Sequence, residues 1–475
     1  MPRALRVLAV GLSIGLAAAT RGFASEPILE RFAVDVSIDP QAGTLHETAA
    51  VTVRAPGATH LVFAIDEGLA VKRSSASEGV IEHRQAGPEI IVDVDPPIAE
   101  TRTLTFAIAG APGGHSDSEI GERRAVLAPA TPWYPSLPST WATGTLAVHL
   151  PKGWRSVATS AAKPVRSLAV AAAPDLAIKE GAIPGTRFVL AGAGPLALER
   201  VQSSVAPALS WLSGALSPYP FSELALAVLP GYTGRVEASG IVIVGSEAPL
   251  AGPSDAADLL AGQWWGQLIA GDGAWVDAFA AWEACVFARD RDLPVPGAIT
   301  AARAEYFALR SGDVPIATAR HDAPAPLLRG KGSAVPDMIR LTAGDRAMFD
   351  AVRELVAHAG PSPLSLAAVR AVMEKHAGRS LERAFDEWFG RAGAPEIAAT
   401  LSAFPASSGG YRADLQLVQK RGVFALPVEV VLYGPGGEQR ETVEIDDAST
   451  SVFYIVPFEP KRVEIDPLDR IFRWK

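Results

Sequence analysis

The order of apolar and polar residues divides the chain into three stretches. From Ile28 to about Leu198 the two kinds alternate with a period of two, as in "FAVDVSID" and "TLTFAIAG", and proline and glycine separate the runs. From Glu199 the pattern is mixed, with strands predicted in "ELALAVLP" and "GIVIVG". From Ala256 to Phe389 apolar residues mostly recur at helical spacing, for example in "DRAMFDAVRELVAHA". After "GAPEIAA" the period of two returns in five short runs. The pattern predicts strands, then a mixed and largely helical part, then strands again.

The N-terminus has the pattern of a secretory signal. Arg3 and Arg6 form a basic start, an apolar run up to Ala19 follows, and small residues precede an expected cleavage after Ala24 or Ser25. We expect an exported protein, periplasmic or extracellular, with retention of the segment as an anchor as the alternative. No other stretch is long and apolar enough to span a bilayer. The predicted domains are 1–25 signal peptide, 26–198 N-terminal β domain, 199–397 mixed domain and 398–475 C-terminal β domain.

Charge and cysteine content exclude some classes of function. The formal net charge is −9, and removal of Arg3, Arg6 and Arg21 with the signal peptide lowers it to −12. An acidic chain without a long Lys/Arg run argues against a nucleic-acid partner. Cys285 is the single cysteine, so no internal disulfide forms. Its apolar neighbours Ala284 and Val286 favour a buried structural thiol over a nucleophile.

Four segments occur in the same order as in a known enzyme family. They are "WYPSLPSTW" from Trp133, "SPYPF" followed by "GRVEASG", "DLLAGQWWG", and "AFDEWFGRAGAP". With the order of strands and helices, they resemble the alanyl aminopeptidases, the M-one (M1) family of gluzincin zinc metallopeptidases. The resemblance implies an α+β multidomain fold. Its parts are a saddle-like N-terminal β domain, a thermolysin-like α/β and helical domain, and a C-terminal immunoglobulin-like β-sandwich.

The family's zinc motif HExxH is replaced in this sequence. The resemblance places the first histidine at Asp258, the glutamate at Leu259 and the second histidine at Gly262. Catalytic zinc needs three protein ligands and an open position for water, and the motif's glutamate is the general base. Leu259 cannot accept a proton and Gly262 has no ligating side chain.

The remaining catalytic positions of the family are replaced as well. The third ligand, a glutamate, falls on Ala278 if the preceding loop is shorter by three residues, and on Ala281 if it is not. The family's oxyanion-stabilising tyrosine falls on Arg329. We therefore expect no zinc, no other cofactor and no catalytic residue among these degenerate positions. A hard cation held by Asp255, Asp258, Asp272 and Asp277 is an alternative, although a solvated helix start explains these carboxylates more simply.

One binding element of the family is kept. Glu237 matches the glutamate that holds the free α-amine of the substrate, and Gly234 begins the same motif, where it serves backbone approach or turn geometry. Arg329 could bind an anion or a carboxylate. Trp264 and Trp265 are expected to pack in the core. The candidate substrate-binding residues are thus Glu237, Gly234 and Arg329.

These observations lead to three hypotheses. The first is an exported, inactive aminopeptidase-like protein that binds peptide N-termini or serves as a scaffold for a cell-envelope protein. The second is an active metallo-aminopeptidase or hydrolase with a displaced or non-zinc site. The third is a structural protein whose former cleft is closed by Leu259, Trp264 and Phe279.

Overall fold

The computed structural model describes residues 26–113, 117–130, 132–183, 185–192, 198–246, 250, 252–309, 312–407 and 409–475. The predicted signal peptide, 1–25, lies outside the described residues. Within them the chain folds into 23 strands and eight α-helices, so the structure is a mixed α/β fold with several sheets. None of the helices in these ranges is both long enough and apolar enough to cross a membrane.

The first part of the chain is built from strands, as predicted. In β1 the alternation places Val34 and Val36 in the core and leaves Asp35 and Ser37 exposed. The strands form three sheets, in the orders β10-β1-β2-β7-β4, β3-β6-β5 and β11-β12-β9-β8. They are β1 (Ile28–Asp39), β2 (Thr44–Arg54), β3 (His60–Ala64), β4 (Leu69–Ala76), β5 (Val80–Ala86), β6 (Glu89–Asp95), β7 (Thr101–Gly110), β8 (Glu119–Gly121), β9 (Arg124–Leu127), β10 (Thr140–His149), β11 (Trp154–Ala158) and β12 (Val170–Pro174).

A five-stranded sheet follows, in the order β13-β14-β15-β17-β16. Its elements are β13 (Ala177–Ile183), β14 (Thr186–Gly192), helix α1 (Leu198–Ala215), β15 (Glu223–Val228), β16 (Arg235–Ala238) and β17 (Ile241–Val244). Strands β14, β15 and β17 run parallel, and β16 lies antiparallel at the edge. Because β14 pairs with β15, beyond the expected boundary at 198, and β13 pairs with β14, this sheet joins both strands to the residues that follow that boundary. The domain bounds themselves stay a prediction.

Helices fill the centre of the chain. They are α2 (Pro253–Leu260), α3 (Trp275–Asp290), α4 (Gly297–Ala308), α5 (Val335–Ala343), α6 (Asp345–Ala357), α7 (Leu366–Ala377) and α8 (Glu382–Trp388). A π-helical turn, Pro326–Lys331, lies between α4 and α5. Helix α3 is buried on most sides, and its Phe279 stacks on Trp265 at 4.6 Å and on Phe389 at 6.0 Å between ring centroids. This aromatic packing fixes α3 beneath the candidate site.

The C-terminal part forms two three-stranded sheets, in the orders β18-β19-β22 and β21-β20-β23. The strands are β18 (Ile397–Pro405), β19 (Tyr411–Gln419), β20 (Leu426–Gly434), β21 (Gly437–Ile445), β22 (Ser449–Val456) and β23 (Arg462–Ile465). A hairpin turn in "GPGGE" joins β20 to β21, with Gly436 at φ 95°. The immunoglobulin-like character of this part stays a prediction.

Candidate functional site

A cavity of about 580 Å³ opens where the edge strand β16 faces α2, α3 and the π-helical turn. Four residues that the sequence comparison aligned with the family's site, Glu237, Asp258, Gly262 and Arg329, lie on its wall together with Arg235 of β16. The primary sequence thus predicted most of the positions that the fold brings together.

The cavity is open rather than filled. Leu259, Trp264 and Phe279, the residues expected to close it in the third hypothesis, are fully buried and are not part of its lining. Their side chains pack into the core instead. The structure therefore favours a cleft that can hold a ligand over a closed one.

Two arginines and two carboxylates meet on the floor of this cavity. Arg235 donates from Nη1 to Asp258 Oδ2 at 3.0 Å, from Nη2 to the Asp258 carbonyl at 2.8 Å, and from Nε to Glu237 Oε1 at 2.5 Å. Arg329 Nη2 donates to the same Asp258 oxygen. The four charges cancel. We call Arg235, Glu237, Asp258 and Arg329 the charged cluster.

Burial and charge act against each other in this cluster. Burial disfavours the charged guanidinium of Arg235, but Glu237 and Asp258 outweigh it and raise the pKa of Arg235 above its usual value. Burial raises the pKa of Glu237, and Arg235 and Arg329 offset only part of that effect. Each charge in the cluster is consequently held in place by an opposite one.

Gly262 leaves room for the Glu237 carboxylate. A Cβ atom at position 262 would lie 1.9 Å from Glu237 Oε2. Helix α2 ends at Leu260, and residues 261–263 form a 3-10 turn, so the segment aligned with the zinc motif is not one continuous helix. Glycine has low helix propensity, which agrees with this break. The position of the second family ligand is therefore covered by a carboxylate from the edge strand.

Gly262→Ala is expected to destabilise the fold by about 1–3 kcal/mol, because the new methyl group forces Glu237 away from its place beside Arg235. Urea unfolding measures the change. Gly214→Ala is the matched control, since a Cβ there meets nothing within 4 Å and the site lies in α1. The control is expected to be neutral or up to about 1 kcal/mol stabilising. Equal stability of the two variants would contradict the packing described for Gly262.

The two alternatives for the third ligand position have different places. Ala281 lies on the cavity wall, whereas Ala278 is fully buried and packs toward Gly332. Of the two alternatives, Ala281 is thus the residue that reaches the cavity. Glu283, two residues beyond Ala281, is fully buried and does not line the cavity.

The residues present do not fit a zinc ion. Of the three ligand positions, only Asp258 carries a ligating atom, and it already binds two guanidinium groups. A third cationic group beside Arg235 and Arg329 would be repelled. Across the described ranges, no three His, Cys, Asp or Glu side chains group closely enough to hold a metal ion.

The four aspartates considered for a hard cation have separate partners. Asp255 Oδ1 accepts from the Gly297 backbone N–H at 3.0 Å, and Asp272 Oδ1 accepts from Trp275 Nε1 at 2.9 Å. Asp277 contacts His321, and Asp258 belongs to the charged cluster. Asp258 and Asp277 line the same cavity but bind different partners, and Asp255 and Asp272 lie outside it, so the four carboxylates do not form one site.

Gln263, from the retained "QWWG", ties three segments together. Its Oε1 accepts from the Tyr219 hydroxyl at 3.1 Å and from the Gly240 N–H at 2.9 Å, and its Nε2 donates to the Ala238 carbonyl at 3.1 Å. Gln267 Nε2 likewise donates to a carbonyl of β16, at 3.0 Å. These bonds hold the edge strand over the cavity, which explains how "YPF", the β16 motif and "QWWG" act as one unit.

The remaining residues singled out in the sequence, Gly234, Trp264 and Trp265, pack mainly against other parts of the protein. A Cβ at Gly234 would lie 2.5 Å from the Tyr232 hydroxyl, and Gly234 does not line the cavity. Trp264 is buried and donates to Ser217 Oγ at 3.0 Å. Trp265 is buried too but forms part of the cavity wall. Gly234 thus makes room for a tyrosine, and only one of the two tryptophans reaches the site.

Two features of the site were not identified from the sequence. Arg235 stands two residues before Glu237 on a strand, and the period of two puts both side chains on one face, so this neighbour could have been found.

The pair of His321 and Asp277 also lines the cavity, with Nδ1 and Oδ2 2.9 Å apart. The hydrogen bond to Asp277 raises the pKa of His321. No sequence pattern indicated this pair, because its members are 44 residues apart.

Comparison with known proteins gives a likeness of fold. No family model matches the chain, and no curated protein does. Legionella pneumophila aminopeptidase A, solved with aspartic acid, superposes with a TM-score of 0.70 at 12% identity, over 93% of this chain and 58% of that one. A two-domain M1 zinc metallopeptidase mutant with bound L-tryptophan gives 0.67 at 18% identity, over 78% and 96%. The M1 zinc metallopeptidase of Deinococcus radiodurans gives 0.66 at 18% identity, over 78% and 95%.

The chain therefore has the fold of the M1 zinc metallopeptidases, and the resemblance found in the sequence is confirmed at this level. Its described residues lack a metal-binding group, which agrees with a degenerate relative of that fold. The likeness concerns the fold, and the chemistry depends on the cluster of Arg235, Glu237, Asp258 and Arg329.

Proposed function

We propose that this protein is a non-catalytic relative of the M1 aminopeptidases whose open cleft binds peptide N-termini without cleaving them. The observation that carries the proposal is the charged cluster, which stands where the family fold would hold zinc. Asp258 Oδ2 accepts from both Arg235 and Arg329, and Glu237 covers Gly262. Ion pairs replace the metal site.

The cleft has no group that would activate water in the family manner. Leu259 stands at the position of the general base and is fully buried. Arg329 stands at the position of the oxyanion-stabilising tyrosine and donates to Asp258. Hydrolysis through a metal-bound water would need a base and ligands that these residues do not supply.

The same cleft offers complementary groups to a peptide end. Glu237 Oε2 faces Gly262 and forms no hydrogen bond with any described residue, so it is free to accept from an ammonium group. Arg329 uses only Nη2 within the described part of the chain, and its other donors suit a carboxylate or carbonyl oxygen. M1 structures solved with L-tryptophan or the tripeptide Tyr-Ser-Ala suggest a peptide of that size as the probe.

Calorimetric titration with Tyr-Ser-Ala tests the binding. We expect a measurable affinity that falls about tenfold, roughly 1.4 kcal/mol, with N-acetylated Tyr-Ser-Ala or in Glu237→Gln, because each removes one charge of the ammonium–carboxylate pair. Glu180→Gln is the matched control, since Glu180 lies outside the cavity and is exposed. If Glu237→Gln fails to fold, the comparison of Tyr-Ser-Ala with N-acetylated Tyr-Ser-Ala on the natural protein is sufficient to test amine capture. Equal binding of both peptides would refute amine capture.

The proposal includes export. Residues 1–25 have the signal-peptide pattern, so the partner we propose is a peptide or the N-terminus of a cell-envelope protein in the periplasm or outside the cell. An active metallo-aminopeptidase or hydrolase with a displaced site is the competing function. It predicts turnover of the tripeptide that is lost in Asp258→Asn or Glu237→Gln.

A further inference from the structure

A second cavity, of about 550 Å³, lies away from the charged cluster. Its wall is formed by α3, α4, α5 and the segment 468–475 that follows β23. Cys285 lies in this wall. We call this space the rear cavity. It shares no lining residue with the cleft beside β16.

Cations outnumber carboxylates in the lining of the rear cavity. The cationic residues are Arg289, Arg303, Arg470, Arg473 and Lys475, and the acidic ones are Asp337 and Asp469. Both carboxylates are already paired. Asp337 binds Arg289 and Arg340, and Asp469 binds Lys475 at 2.8 Å. The remaining positive charge is not balanced by the wall itself.

Two guanidinium groups in the wall lack an acidic partner. Arg303 donates from Nε to Ser333 Oγ at 3.1 Å and from Nη2 to Cys285 Sγ at 3.5 Å. Its half-buried side chain forms no ion pair within the described ranges. Arg470 uses its backbone N–H but forms no side-chain hydrogen bond or ion pair with a described residue. The half-buried guanidinium of Arg303 lacks a counter-ion and therefore attracts an anion, and the exposed guanidinium of Arg470 is a second unpaired donor group at the same wall.

The rest of the lining is apolar. Val295, Phe307, Met338 and Trp474 contribute aliphatic and aromatic surface, and Leu468 is 56% exposed. Exposing large apolar side chains to water is unfavourable, so such a wall suits a hydrocarbon chain. The two kinds of surface, cationic and apolar, lie in one cavity.

We propose that the rear cavity binds an anionic amphiphile, a molecule with a carboxylate or phosphate head and a hydrocarbon chain. Arg303 and Arg470 bind the head through charge-assisted hydrogen bonds, and Phe307, Met338 and Leu468 contact the chain. The volume admits a chain of about ten carbons. The site is independent of peptide binding in the cleft.

Cys285 provides a single-site readout. It is the only cysteine of the chain, so any alkylation by iodoacetamide reports on the rear cavity. Burial raises the pKa of Cys285 to about 11, with Arg303 lowering it in part, so the reaction is slow and is followed by mass as a time course. The protein is incubated with sodium decanoate, decyl phosphate or decanol, each below its aggregation concentration.

We expect decanoate or decyl phosphate to slow alkylation at least fivefold, and decanol to have little effect. Comparison of the two anions identifies the head group. Protection is expected to fall at least fivefold in Arg303→Gln and Arg470→Ala, each compared with its own ligand-free rate, and to persist in Arg346→Ala. Arg346 is the matched control because it is exposed and does not line the cavity. Arg470 is also exposed, so its variant reports even if Arg303→Gln fails to fold.

Equal protection by decanol would show that the anionic head is not recognised and would overturn the proposal. Unchanged protection in both arginine variants would overturn it too. The proposal would also be overturned if neither decanoate nor decyl phosphate slowed alkylation at its highest soluble concentration.

Discussion

Arg235→Met is expected to lower the free energy of unfolding by about 3–5 kcal/mol, the loss typical of removing one partner from a buried ion pair. The substitution leaves Asp258, whose residue is only 6% exposed, with Arg329 as its single cation. It also removes the donor to Glu237 Oε1. Asp258 Oδ1 already has no hydrogen-bond partner in the described part of the chain, so nothing nearby compensates.

Urea unfolding at neutral pH measures this loss. Arg187→Met is the matched control: Arg187 contacts Glu180 and Glu223 but its side chain is 55% exposed, and we expect a far smaller loss than for Arg235→Met. The double variant Arg235→Met/Asp258→Asn is expected to recover part of the stability, since position 258 no longer carries a buried negative charge, although Glu237 still lacks the donor that Arg235 supplied. A loss from Arg235→Met as small as that of the control would mean that the charged cluster does not stabilise the fold.

Glu283→Gln is expected to gain stability relative to the natural protein as the pH rises, by about 4 kcal/mol between about pH 5 and about pH 8.5. Burial raises the pKa of Glu283 to about 8, and neither carboxyl oxygen has a hydrogen-bond partner among the described residues. The nearby Trp265 indole lowers the pKa only in part. The unfolded chain therefore releases this proton near its ordinary value of 4.5, whereas the folded chain retains it to about 8.

The sign of the effect follows from proton binding. Between those two pKa values the folded state holds one proton more than the unfolded state, so the contribution of Glu283 to stability falls with rising pH. Glutamine does not titrate and removes this slope. Burial also raises the pKa of Glu47. Glu47 contributes the same pH dependence of stability to both proteins, so its contribution cancels in the difference between them. The measurement is the difference in urea unfolding between variant and natural protein at the two pH values, with the exposed Glu82→Gln as control. A difference independent of pH would contradict the buried state of Glu283.

The architecture was largely predictable because it depends on local patterns. The period of two identified the strands at both ends of the chain, and four short motifs indicated the fold of the central part. Strand β18 was missed since its alternation begins with small alanines, and its pairing along the whole of β19 decides its structure instead. The parallel pairing of β14 with β15 was missed for a similar reason, because a helix separates the two strands in sequence.

The sequence predicted which residues form the candidate site but not the contacts between them. Sequence comparison identified Asp258, Gly262, Glu237 and Arg329 one by one. It did not show that Arg329 contacts Asp258 across 71 residues, or that Arg235 does so across 23. Such contacts depend on tertiary packing, which no spacing in the sequence encodes. The choice between Ala278 and Ala281 also required the structure, because it depends on which face of α3 meets the cavity.

We propose that the cleft binds a peptide end and does not cleave it. The most direct test is a proton NMR time course of Tyr-Ser-Ala with purified protein and added zinc. We predict that the tripeptide resonances broaden, as for a bound peptide, while no free tyrosine accumulates over many hours. Release of free tyrosine that stops when a chelator is added would contradict the claim, because it would show that the positions around Asp258 support metal-dependent hydrolysis after all.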